Sequence, residues 1–212
     1  MSTSTEKTSY HHGDLRNALL DAAASAARDL GPDTLTLREV ARRAQVSHTA
    51  AYNHFADKRD LLRGLAVRAF VELGDRLTAA AGRDGAEIAD IALVYVRFAW
   101  QFPTEFRFMF QRSLCMPEGV PDPIEIASRS SREVLRDIVA VSQAGGRMRA
   151  GDVDELALAC WAHIHGVTTI MLETPAFKSI SLAGAEATLL GSLRLLIDGL
   201  RPGTIDSPTT RR

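Results

Sequence analysis

The sequence predicts an all-α fold on three observations: apolar residues recur at helical spacing along most of the chain, Gly and Pro breakers separate those stretches, and no alternating strand pattern competes. Leu15, Leu19, Ala22, Ala26 and Leu30 mark a first helix that Gly31 and Pro32 end. Thr36 followed by Glu39 is a capping-box pattern, so a short second helix starts at Leu37 with Leu37, Val40, Ala41 and Ala44 on one face. Ser47 is the N-cap of a third helix, in which Ala51 and Phe55, four apart, face inward while His48, Thr49, Tyr52 and Asn53 point elsewhere. Two amphipathic helices of about two turns each cannot bury enough apolar surface alone; joined by a tight turn they make a helix-turn-helix unit. The second helix of such a unit enters a DNA major groove.

Asp57 caps a long helix expected from Lys58 to about Ala80, stopped near Gly82 and Gly85, which connects two domains. Further helices are expected at about 86–101, 104–112, 122–144, 152–173 and 183–200, separated by Pro103, Pro117, Pro121, Gly145-Gly146, Gly151 and Pro175. The expected organisation is a disordered arm over 1–9, a DNA-binding domain over 10–64, a larger helical bundle over 65–200 and a disordered tail over 201–212.

With 212 residues, 46% of them apolar, the chain can bury a real core. Its formal charge of −1 splits into a net +1 through Gly64 and −2 beyond, so a DNA reader of this composition must concentrate its positive charge on one face. Cys115 and Cys160 are too few for a zinc framework or a disulfide scaffold and are read as reduced thiols. The stretch MSTSTEKTS lacks the apolar core of a secretory signal, and no run approaches about eighteen consecutive apolar residues, so a cytoplasmic, membrane-free protein is expected. No Gly-rich phosphate loop, paired-carboxylate motif or nucleophile motif is present; no cofactor and no catalytic residue are assigned. His11 and His12 lack further ligands at sensible spacing, and His163 and His165 lie about 200° apart around a helix, so no metal site is assigned either.

Val46, Ser47, Tyr52, His54, Phe55 and Lys58 resemble the pattern V-S-x-x-x-x-Y-x-H-F-x-x-K that ends the three-helix unit of the TetR family of bacterial transcriptional regulators. The resemblance runs through about residues 12–66. The remainder looks like the C-terminal domain type in that family marked by a Trp and a His-Gly pair, here Trp161 and His165-Gly166. It implies a ligand-responsive regulator, typically a repressor, that binds a palindromic double-stranded operator as a homodimer and leaves it when a small apolar or amphipathic molecule binds. A regulator whose bundle serves only dimerisation or protein docking, and an all-α enzyme, are the alternatives. Two positions depart from the family pattern. Gln45 stands where Gly is usual, in a turn whose left-handed conformation costs a residue with a Cβ about 1 kcal/mol. Thr49 replaces a small residue at the start of the recognition helix, adding a hydroxyl and a methyl to the DNA-facing surface.

His48, Thr49 and Asn53 are the candidate base readers, since Asn bonds adenine bidentately and Thr offers a hydroxyl and a methyl; Ala50 can touch only a thymine methyl. Tyr52, His54 and Lys58 are assigned phosphate contacts by the resemblance, and Lys58 also opens a helix whose positive dipole favours an anion. Thr36, Arg38 and Ser47 are further positioning candidates, and Tyr10, His11, His12 and Arg16 lead into the first helix as a backbone-contacting or merely solvated arm. The dense aromatic stretch from Phe98 to Phe110 is either core or pocket wall. In the pocket reading, Trp100, Phe102, Phe106, Met109, Trp161 and His165 line one ligand cavity, with His165 either its polar group or a satisfied core residue. The last two long helices, with Leu156, Cys160, Ile164, Met171, Leu189, Leu193 and Leu196, form either intrachain core or a four-helix dimer interface, the latter implied by the resemblance.

Overall fold

The computed structural model describes residues 12–31, 33–117 and 119–200, with side chains from Leu15 onward. The expected arm and tail, with Tyr10 and His11, lie outside the described residues. Among those described there is no strand. Helix α1 (His12–Leu30) ends at Gly31, whose φ of +83° a residue with a Cβ would resist. Helices α2 (Leu37–Arg43) and α3 (His48–Tyr52) follow, each begun by the expected hydroxyl cap: Thr36 accepts from the Glu39 N–H at 3.2 Å and Ser47 from the Ala50 N–H at 3.1 Å. Only half of the capping box forms at α2, because the Glu39 carboxylate is drawn instead to Arg42 and Arg43. Helix α3 has five residues rather than two turns; Phe55, beyond its end, still buries with Ala51 through the Phe55 N–H to Ala51 carbonyl bond.

Helix α4 (Lys58–Ala81), capped by Asp57, runs from the first three helices into the rest of the chain. Its buried residues pass without a break from Leu61, Leu62 and Leu65 through Phe70 and Leu73 to Leu77, so a single apolar core joins both halves across the expected boundary near residue 64. Close approach explains Gly64: a Cβ there would lie 3.1 Å from both Leu20 and Phe55.

Helices α5 (Ile88–Gln101) and α6 (Pro103–Met109) are separated by Phe102 alone, with Pro103 at the first position of α6, where its missing N–H costs nothing. Helix α6 stops three residues earlier than expected, and a 3-10 turn (Arg112–Leu114) carries the chain onward. Helix α7 (Pro123–Ala144) packs along α4, and α8 (Val153–Glu173) and α9 (Leu182–Gly199) close the bundle.

Gln45 is the one non-glycine with positive φ among the described residues, at +56°, so the turn keeps its left-handed geometry despite the Cβ. Its strain relief on replacement by Gly, about 1–2 kcal/mol, exceeds the entropy cost of the added freedom, about 0.5–1 kcal/mol. Gln45→Gly is therefore expected to be neutral to about 1 kcal/mol stabilising, and Gln45→Val, β-branched, to destabilise. Urea unfolding of the two variants checks the order; Val matching Gly would remove the backbone explanation.

Candidate DNA-binding surface and cavity

The predicted DNA-facing residues are all at least partly open to solvent. Thr36, Arg38, Ser47, His48, Thr49, Tyr52 and Asn53 are exposed, and Ala50, His54 and Lys58 are half-buried. His48 and Tyr52, one helical turn apart, meet edge to face at 4.7 Å, which fixes both rings on the outer face of α3. Asn53 is the C-cap of α3 and keeps helical dihedrals, so it stays in register with the reading face.

Charge on this surface is partly spent internally. Glu39 takes hydrogen bonds from Arg42 and then Arg43, which hold its carboxyl down at about 2, and Arg43 also pairs with Asp29 at 2.5 Å. Arg38 has no ion pair among the described residues and is the cation that α2 offers outward. At the start of α4 the Asp57 carboxylate caps the Asp60 N–H at 2.7 Å, and Asp60 accepts from the Ala56 N–H at 3.1 Å. Two carboxylates thus already answer part of the helix dipole there. Lys58 remains as a cation; its ammonium donates one proton to the Asp33 carbonyl at 2.8 Å and keeps two more to give. Arg16 lies with its guanidinium 5.0 Å over the Phe55 ring, and of His12 only the backbone is described.

A cavity of about 410 Å³ opens within the bundle among α4, α5, α7, α8 and the α6 end with its 3-10 turn. Of the six residues expected to line it, Met109 and Trp161 do. Phe106 and His165 stand one layer behind, in a cluster with Tyr95 and Phe110, which themselves face the cavity: the Tyr95 hydroxyl and His165 Nδ1 are 2.8 Å apart, and Phe110 lies 4.3 Å from the His165 ring. Trp161 stacks on His165 at 5.3 Å. Trp100 and Phe102 do not belong to this site. Trp100 lies about 140° around α5 from Tyr95 and lines a separate cleft with Met171, Pro175 and Phe177. Phe102, at the break before α6, packs on Phe98 at 5.2 Å beneath Arg76. Sequence reading missed Leu73, Leu77, Ile91 and Leu135, cavity walls that helical periodicity cannot tell from core.

The interface expectation for the last two helices also changes. Leu156, Cys160, Ile164, Met171, Leu189 and Leu193 are buried within the single chain and Leu196 is half-buried, so these residues are intrachain core. By length and composition alone α8 is apolar enough to cross a membrane, and 33% of its most apolar window is buried. Exposed apolar residues remain on both helices: Leu158 at 60%, which also lines the cavity, and Ile170 at 53% on α8, and Leu195 at 76% on α9. Gly166 and Gly191 have open space where a Cβ would be.

The sequence profile of the bacterial regulatory proteins of the TetR family matches residues 19–65, and that of the tetracyclin repressor-like C-terminal domain matches residues 88–189. The chain belongs to the TetR family. A solved protein of unknown function from Rhodococcus sp. RHA1 is 30% identical, with 92% of this chain and 99% of that one covered at a TM-score of 0.75. A TetR-family regulatory protein from Rhodococcus RHA1 shares the fold at 18% identity, with 88% and 97% covered and a TM-score of 0.63. The SmeT–triclosan complex does so at 17%, with 93% and 97% covered and a TM-score of 0.64. No curated protein matches the chain.

In this TetR-family DNA-binding regulator, three arginines of the first four helices reach the segment that walls the cavity. Arg59 and Arg63 of α4 donate to the Cys115 and Leu114 carbonyls at 2.7 and 3.1 Å, and Arg28 of α1 pairs with the buried Glu105 of α6 at 2.6 Å. Partners this far away in sequence left no local signal.

Burial holds the imidazoles of His165 and His163 below their ordinary 6.5 by disfavouring the charged ring. As pH falls through 6.5 the unfolded chain takes up these protons while the folded chain does not, so stability is full above that value and declines below it. Denaturation midpoints about one unit above and one unit below 6.5 should differ in that direction, and His165→Phe should reduce the difference; an undiminished slope in the variant would remove His165 from the account.

Proposed function

We propose that the TetR-family chain is a homodimeric repressor that binds a palindromic operator and is released by a small apolar or amphipathic molecule held in the cavity. The observation that carries this reading is the shared segment: the α6 end and its 3-10 turn wall the cavity through Met109, Phe110 and Arg112 while their carbonyls hold Arg59 and Arg63 at the start of α4. A ligand that displaces this segment tilts α4 and changes the distance between the two recognition helices, which must meet successive major grooves about 34 Å apart. Release requires that the ligand prefer the DNA-incompetent state, by about 1–3 kcal/mol for ordinary coupling. The open cavity favours a sensor over a bundle that serves only dimerisation.

On DNA, His48, Thr49 and Asn53 read base edges with Ala50 against a thymine methyl, while Thr36, Arg38, Ser47, Tyr52, His54 and Lys58 set register on the phosphates. Operators selected from a random DNA pool, then titrated against salt, test this division. Lys58→Ala and Arg38→Ala should weaken binding to every sequence and each lower the salt slope by about 1, whereas Thr49→Ala and Asn53→Ala should alter sequence preference. Unchanged affinity in both charge variants would sink the phosphate assignment.

The dimer forms through the outer faces of α8 and α9, where exposed Ile170 and Leu195 each lie one turn beyond Gly166 and Gly191, whose open space lets two backbones approach. Leu195→Glu, harmless to a lone chain because the residue is exposed, should dissociate the dimer by burying an unpaired charge. Sedimentation reads the outcome, and an intact Leu195→Glu dimer would move the interface elsewhere.

A further inference from the structure

The cavity walls are mostly apolar, so a few polar groups decide which head group a ligand carries, and most of these are already used within the protein. Asp122 accepts from the Ile124 N–H through one carboxylate oxygen and from the Met116 N–H through the other, both at 2.9 Å. Glu125 pairs with Arg132 at 2.6 Å, and Arg132 also donates to Ser128 Oγ at 2.7 Å. The Ser128 hydroxyl donates in turn to the Glu125 carbonyl, and the Tyr95 hydroxyl is engaged with His165. The Trp161 indole N–H and the Cys115 thiol offer only weak or single donors, and two further lining groups stay unspent. The Arg112 guanidinium is exposed and has no hydrogen bond or ion pair among the described residues, and Ser131 Oγ is buried with no partner.

We infer that the cavity selects an organic acid with an apolar body, its acid head on the Arg112 guanidinium and its body against Leu73, Leu77, Ile91, Leu135 and Ile164. This rests on the effector reading above and adds the chemistry of the ligand. The guanidinium presents a planar fork of donors matched to a carboxylate, and no other charged lining group is without a partner. A cationic head would have to displace Arg132 from Glu125 or two backbone N–H groups from Asp122. A neutral head would leave Arg112 unused. The Ser131 hydroxyl adds one donor along the wall, enough for a single further oxygen. At about 410 Å³ the cavity is near the lower end of small-molecule sites, which suits a compact ring acid or a medium-length chain. The head group would also bear directly on regulation: Arg112 opens the turn whose Leu114 and Cys115 carbonyls hold Arg63 and Arg59 of α4.

The test uses the full-length protein and N-phenylnaphthylamine, a neutral apolar fluorophore, displaced by decanoate, decanol or decylamine. Decanoate should displace the probe at about tenfold lower concentration than decanol, the effect of one charge-assisted pair, and Arg112→Gln should shrink that gap to about twofold or less. Equal displacement by acid and alcohol, a gap that survives Arg112→Gln, or tightest binding by the amine would overturn the acid inference and leave the cavity reading in place. No probe binding, with Trp161 emission unchanged in a Trp100→Phe background, would overturn both.

Discussion

The structure depends on the burial of α4. Its 24 residues supply one wall to the DNA-binding helices and another to the cavity bundle, and its apolar side chains run unbroken from Leu61 to Leu77. Because packed interiors have few voids and transmit displacement, neither half can shift against α4 without repacking the other. A connector that was merely a linker would isolate the two halves; a shared core helix couples them as a consequence of packing.

Electrostatics around the recognition helix follow from a chain that has no positive charge to spare. Arg42 and Arg43 are committed to Glu39 and Asp29, Arg59 and Arg63 to carbonyls of the cavity segment, and Arg16 to the Phe55 ring. What faces outward is Arg38 and the remaining valence of Lys58, beside the neutral donors of α3. A surface so lightly charged steers DNA weakly over distance and leaves discrimination to base contacts at short range.

The local features were legible in the sequence because their causes are local. Thr36, Ser47 and Asp57 cap where a hydroxyl or carboxylate precedes an apolar run, and Ala51 and Phe55 bury as their spacing requires. Gln45 was readable as a position under backbone constraint and adopts the left-handed turn. Features set by tertiary packing were not. Trp100 and Phe102 belong to the same aromatic stretch as Phe106, but the break at Phe102 sends them elsewhere, and no periodicity crosses such a break. In α8 and α9 apolar and small residues occupy nearly the whole circumference, so the pattern alone gave the inner face, Leu156 to Leu193, where the outer face with Leu195 is the one left uncovered. Arg59 and Arg63 carried no mark in the sequence, because carbonyl acceptors some fifty residues away have no sequence signature.

These two arginine–carbonyl bonds also set the scale of the proposed ligand response. A hydrogen bond to a charged group contributes about 1.5–3 kcal/mol when well shielded and less when solvent competes. Arg63 is part-buried and Arg59 exposed, so together they are worth on the order of 1–3 kcal/mol, the same range as ordinary coupling between two sites. In the proposed response, loosening the 3-10 turn by the length of one hydrogen bond would therefore be enough to shift α4 between states. A shift on that scale asks for only slight repacking of the core that α4 shares with both halves, where a larger rearrangement would cost several kcal/mol for each buried side chain exposed.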